Sequence, residues 1–194
     1  WKNKRYRMDE RKWIERILAG DTQSFSCLVA KYEKMAYTIA LRILENREEA
    51  EEAVQDAFVK MYRALSDFHF DSKFSTWFYR IVYRTALTAL RQQRMFVSYE
   101  EAGPVDLSND EVESATALLE REDRKEMIAR TLKKLPADEA LLLTLYYLEE
   151  CSVEEICQIT ELSASNVKVK LFRGRKRFYE VLQDKMKLET ADLL

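Results

Sequence analysis

Apolar residues recur along this chain at spacings of three and four, with almost no stretch in which they alternate with polar ones, so the elements they predict are helices. A first helix is expected over residues 9–19, ended by Gly20 and Asp21, a C-terminal glycine followed by a fresh N-cap. A second, over 22–44, places Phe25, Leu28, Val29, Tyr32, Met35, Ala36 and Ile39 on one face. Asn46 stands where it can cap a third over 47–65, whose apolar stripe is Val54, Ala57, Phe58, Met61 and Leu65. After a loop over 66–74, Ser75 is expected to cap a fourth helix that continues to residue 95. Its inward side is Trp77, Phe78, Ile81, Val82, Thr85 and Ala89.

The pattern then stops. Residues 98–113 carry acids, Gly103, Pro104 and no basic side chain, the composition of an extended linker. Helical periodicity resumes over 114–134, 136–149 with Pro136 in the first turn, 152–160 and 163–187, and the last residues, 188–194, are expected to fray. The fold class is therefore all-α, in two small helical domains: residues 1–96, a linker over 97–113, and residues 114–194. With 194 residues, each domain can bury its own core, and Gly 3 with Pro 2 suits a chain of long helices.

Charge changes the picture because it is segregated. The formal net charge is only -2, yet SVEEICQITELSASNVKVKLFRGRKR begins acidic and ends with Lys168, Lys170, Arg173, Arg175, Lys176 and Arg177 uninterrupted by an acid. In that stretch Ser152 and Glu155 can form a capping box, with Ile156 and Ile159 facing inward. After a brief turn, Ser163 caps a helix whose inner side is Val167, Leu171, Phe178 and Leu182. Two short helices locked across a tight turn make a helix-turn-helix, whose second helix enters the major groove. Asn166, Val169, Lys170, Arg173 and Lys176 then turn outward, with Lys168 and Phe172 on the flanks. Arginine and lysine hold phosphates or guanine edges, asparagine pairs with adenine, and apolar groups touch thymine methyls.

A second basic stripe lies on the fourth helix, at Arg80, Arg84, Arg91 and Arg94 with Tyr79 and Tyr83 alongside. Two readings stand: guanidinium and ring can hold the phosphates and bases of an exposed strand, or the tyrosines cover the edge of the core. The loop FHFDSKFS likewise either anchors itself through Phe68 and Phe74 or walls a pocket for an extruded base. On the third helix Glu52, Gln55, Asp56, Val59 and Arg63 form a mixed outer face of the kind that docks proteins.

Other chemistry finds little support. No nucleophile and base pair, metal cluster or phosphate-binding glycine loop is evident, so no enzyme and no cofactor is expected. Cys27, Cys151 and Cys157 form no C-x-x-C pair, and His69 is the one histidine, which argues against zinc and disulfides and for reduced thiols in a cytoplasmic protein. No apolar run has the length of a membrane span, so no membrane insertion is expected.

The segments GDTQSFSCLVAKYEKMAYTIALRIL, AEEAVQDAFVKMYRAL, FSTWFYRIVYRTALTALRQQR and LPADEALLLTLYYLEECSVEEICQITELSASNVKVKLFRGRKR resemble, in this order, a bacterial RNA polymerase sigma factor of the extracytoplasmic-function (ECF) group. The resemblance implies a promoter-specificity subunit built of sigma-2 and sigma-4 domains. Its partners would be core RNA polymerase, through the β′ clamp helices and the β flap, promoter DNA and an anti-sigma factor. Carried over residue by residue, polymerase docking falls on Glu52, Gln55, Asp56 and Val59. The minus-ten element falls on Phe70, Asp71, Ser72, Lys73, Phe74, Thr76, Arg80, Arg84 and Arg91, and the minus-thirty-five element on Ser165, Asn166, Lys168, Val169, Phe172, Arg173 and Lys176. The chain departs from the family pattern at Arg84, where asparagine is frequent, at Thr88, where a larger polar residue is, and at Glu161, where glycine is common. A left-handed backbone at Glu161 would be strained. Rival readings are a stand-alone helix-turn-helix regulator, which binds DNA without polymerase, and a helical adaptor indifferent to neutralising Arg173 and Lys168.

Overall fold

The computed structural model describes residues 2–97 and 119–191, and the side chains of 10–93 and 126–183. Among them the helices are α1 (Lys2–Leu18), α2 (Gln23–Leu44), α3 (Arg47–Arg63), α4 (Phe74–Val97), α5 (Leu119–Lys133), α6 (Ala137–Leu143), α7 (Val153–Thr160) and α8 (Ala164–Ala191), and there is no strand. A 3-10 turn, Leu65–Asp67, follows α3, and a π-helical turn, Thr144–Leu148, follows α6. The acidic linker expected over 98–113 lies outside the described residues.

Helices α2, α3 and α4 pack around Tyr32, Phe58 and Phe78, whose rings meet edge-on or tilted, with Leu28, Ile39, Ala57, Met61 and Val82 filling between them. Helix α1 lies on α2 through Ile14 and Ile17 and ends as the sequence predicts. The N–H of Asp21 bonds the carbonyl of Arg16 at 2.9 Å and that of Gly20 bonds Ile17 at 3.0 Å, a Schellman closure that puts Gly20 at φ +98°, where a side chain would be strained. Asn46 caps α3 by accepting from the Glu49 N–H at 3.2 Å. In the second half α8 packs on both α6 and α7 through Val167 and Leu171, against Leu142, Leu145, Ile156 and Ile159. The halves also touch each other, α7 resting on α4 and α6 on α2.

The structure moves several expected boundaries. Helix α1 begins near residue 2 and not 9, because the polar stretch before Asp9 holds no breaker. Helix α4 starts at Phe74, so Ser75 is not its cap; the first turn closes from Lys73, whose carbonyl accepts from the Trp77 N–H at 3.1 Å. Pro136 is the N-cap of α6, at ψ 137°, and the helix expected to reach residue 149 widens at Thr144, where the Glu149 N–H reaches back to the Thr144 carbonyl at 3.2 Å. That wider turn leaves Tyr147 and Leu148 exposed. Helix α8 continues through residues 188–191, which were expected to fray.

Candidate nucleic-acid and polymerase interfaces

The outer face of α8 is held from beneath. Ser163 accepts the Asn166 N–H at 3.3 Å at its start, and Ser152 and Glu155 complete the reciprocal capping box of α7, at 3.1 and 2.8 Å. Deeper in, a Cβ at Gly174 would stand 3.2 Å from Leu143 Cδ1 and 3.3 Å from Glu139 Cβ, so glycine is what lets α8 lie this close to α6. Beside it, buried Glu139 accepts from Arg177 at 2.8 Å while its second oxygen has no partner. Two charges of the run are thus structural: Arg177 binds Glu139, and Lys170, its side chain 27% exposed, binds Asp138. Burial opposes ionisation of Asp138, but the Lys170 ammonium and the Glu139 N–H outweigh it and hold its carboxyl below the usual range. Arg175 is exposed and donates to the Tyr147 hydroxyl at 3.4 Å, and Ser165, Asn166, Lys168, Val169, Phe172, Arg173 and Lys176 are all exposed, Phe172 by 64%. With Val169, 44% exposed, Phe172 gives this basic face an apolar part.

The face of α4 is arranged differently. Phe68 and Phe74 are buried in a cluster with Phe70 and Trp77, centroids 4.8 to 5.5 Å apart, so the anchoring reading of these loop phenylalanines holds. Phe74 and Thr76, both expected at the minus-ten element, are buried and cannot touch DNA in this arrangement. The Thr76 hydroxyl has no partner. Asp71 and Lys73 are exposed and Ser72 half exposed, while Phe70 adopts φ 62° with the Arg11 guanidinium 4.6 Å above its ring.

The tyrosines are not a stacking platform. Tyr79 is 2% exposed and donates to Glu149 at 2.8 Å, and Tyr83 is half-buried; burial first, then nearby carboxylates, raises both phenols above their ordinary value. Of the arginines, Arg91 is exposed and the side chain of Arg94 lies outside the described ones. Arg84 donates from Nε to Glu161 at 2.7 Å, Arg80 reaches the same oxygen at 3.6 Å, and Lys73 meets Glu155 at 2.9 Å. Glu161 itself ends α7 in the left-handed region, φ 62°, so the turn keeps the strained geometry. The hydrogen bond from Arg84 is the main reason its carboxyl titrates below the usual range.

On α3 Glu52, Gln55 and Asp56 are exposed and Val59 is 47% exposed. Tyr62, 46% exposed, extends this apolar strip. The sequence reading passed over it, although its spacing of three from Val59 is the signal that would have found it. The carboxylates opposite α4 were missed too, because no single-helix wheel shows what a second helix brings. Among the described residues no cluster of three or more His, Cys, Asp or Glu gathers around a point, and no helix is long and apolar enough to cross a membrane.

Known proteins share both halves. The family model described as Sigma-70 region 2 matches residues 28–95, and Sigma-70, region 4 matches residues 125–178. The chain is similar to the RNA polymerase sigma-H factor of Pseudomonas aeruginosa, 32% identical over 181 residues that cover 90% of this chain and 94% of that one. It is also similar to the ECF RNA polymerase sigma-E factor of Escherichia coli K12, 31% identical over 170 residues, 84% of this chain and 88% of that one. Two solved structures share the fold. One is the sigma factor RpoE in complex with the anti-sigma factor NepR from Bartonella quintana, with a TM-score of 0.66, 18% identity, and coverage of 83% of this chain and 98% of that one. The other is CnrH in complex with the cytosolic domain of CnrY, with a TM-score of 0.59, 21% identity, and coverage of 91% and 98%. This chain belongs to the sigma-70 family, in its ECF group of RNA polymerase sigma factors. It is a promoter-specificity subunit of RNA polymerase and not an enzyme.

Proposed function

We propose that this subunit reads duplex DNA at the minus-thirty-five element with α8 and captures melted DNA at the minus-ten element with the loop before α4 and with Arg80, Arg84 and Arg91. Ser165, Asn166, Lys168, Val169, Phe172, Arg173 and Lys176 are the groups that reach the duplex. The observation that carries this is the outward face of α8, exposed while its inner side is locked by Val167, Leu171 and Gly174. Asp71, Ser72 and Lys73 contact the melted strand, and Phe70, Phe74 and Thr76 shape the loop that presents them. Melting draws its energy from binding the separated bases and phosphates, with no covalent step.

Polymerase docks on α3 through Glu52, Gln55, Asp56 and Val59, against the β′ clamp helices, and on residues 114–194 through the β flap. The functional units are residues 1–96 and 114–194, joined by 97–113, in a cytoplasmic protein. An anti-sigma factor is a further partner; the fold-sharing RpoE was solved with one.

Run-off transcription with core polymerase tests the reading. Specific transcripts that vanish with Gln55→Ala and Asp56→Ala support it. Promoter binding without polymerase, and no transcripts gained, overturns it in favour of a stand-alone regulator.

A further inference from the structure

We propose that the turn of the helix-turn-helix is also a latch: Glu161 on Arg80 and Arg84, with Glu155 on Lys73, keeps α7 seated on the strand-facing side of α4 until a melted strand takes the carboxylates' place. The proposal rests on the strand-binding role of α4 given above. Arg84 and Glu161 stand far apart in sequence and meet each other here, Nε to Oε1 at 2.7 Å. Glu161 occupies a left-handed position where glycine would be free of strain, so a carboxylate is kept at a conformational cost. Glu161 takes the Nε and Nη2 edge of Arg84, and its negative charge repels a phosphate brought to the donors that remain, so carboxylate and strand compete for this guanidinium.

The lower contact repeats the logic. Glu155 caps its own helix and still reaches Lys73, one of the loop residues assigned to the strand. Tyr79 and Glu149 join the same two halves by a part-buried hydrogen bond at 2.8 Å. The Arg80, Arg84 and Glu161 side chains are each about half exposed, at 46%, 55% and 50%, so water and salt reach them. That exposure makes the latch weak and displaceable, which a permanent interface would not be.

The test uses the full chain as wild type, Glu161→Gly, and the charge exchange Arg84→Glu with Glu161→Arg. Small-angle scattering reads closure, and anisotropy of a fluorescein-labelled oligothymidylate reads access to α4. At low salt Glu161→Gly should have the larger radius of gyration and bind the oligonucleotide about two- to fivefold tighter, the scale of one exposed ion-pair network. Raising the salt should open the wild type and close that gap, and the exchanged pair should restore the compact radius. Glu161→Gly scattering like the wild type at every salt concentration overturns the latch, even if it binds more tightly, because lost repulsion alone would explain the binding. Run-off transcription by the wild type, measured alongside, separates the two readings. Transcripts without closure sink the latch alone, and closure without transcripts sinks the strand-binding role.

Discussion

Lys168 and Arg173 on α8 have no carboxylate within ion-pair distance among the described residues, whereas Arg80 and Arg84 on α4 face Glu161 across the contact between the halves. Both helices carry a basic stripe over an apolar one, and a wheel draws them alike. What separates them is the element opposite: the outward groups of α8 are exposed, with Glu154 near Lys168 but not bonded to it, and α4 has the acidic end of α7 against its arginines. The availability of a charge is thus a tertiary property.

The contrast can be broken most severely through the core beneath each helix. Phe78→Ala should cost about 3–5 kcal/mol and Ile156→Ala about 2–5 kcal/mol in urea unfolding. If the halves behave as one unit, both variants move a single transition, whereas two transitions would show that α4 and α7 part early. Next in size, Arg173→Ala in the holoenzyme should weaken duplex binding by about 1–3 kcal/mol and lower the salt slope by about one ion. Arg84→Ala should leave duplex binding intact and slow open-complex formation, and equal effects of the two on the duplex would erase the distinction. Tyr79→Phe should destabilise the closed arrangement by about 1–2 kcal/mol, since it leaves the Glu149 carboxylate without its donor.

Acid offers a graded approach to the same contact. In the folded chain the Glu161 carboxyl is depressed first by the Arg84 hydrogen bond, against the opposing effect of desolvation. A depressed folded value means the contribution is complete above the ordinary carboxylate range, near pH ~4, and fades as pH falls through the folded value. Scattering should therefore show the halves loosening in acid and not in mild alkali. The smallest effect concerns the thiols. Burial, then Glu155 and Glu149, pushes Cys151 up to about 12, so a disulfide reagent at neutral pH should titrate exposed Cys27 and reach Cys151 only on unfolding.

Much of this was legible in the sequence because it is local. The capping box at Ser152 and Glu155, the Asn46 cap, the stop at Gly20 and the outward face of α8 each follow from residues a few positions apart. Where the reading slipped, distant residues decided the outcome. Tyr79 had two readings, a stacking ring or a cover for the edge of the core, and Glu149 decides for the second; Lys170 looked outward until α6 supplied Asp138, and α6 likewise takes Arg177 out of the charge run with Glu139. Ser75 looked like a cap because the pull of the aromatic cluster on Phe74 cannot be read from a motif. The linker is a reading of composition alone.

Gly174 makes α8 a lever with its fulcrum pressed onto α6. From that point to Asn166 the helix runs about 12 Å at 1.5 Å per residue, so a tilt of about 5° swings the tip by about 1 Å. A methyl group wedged at the fulcrum would press on Leu143 and Glu139 by a few tenths of an ångström, and whatever those side chains do not take up reaches the tip as tilt, to which a hydrogen bond to a base edge is sensitive. Every group at the tip would remain chemically perfect and be aimed at the wrong place.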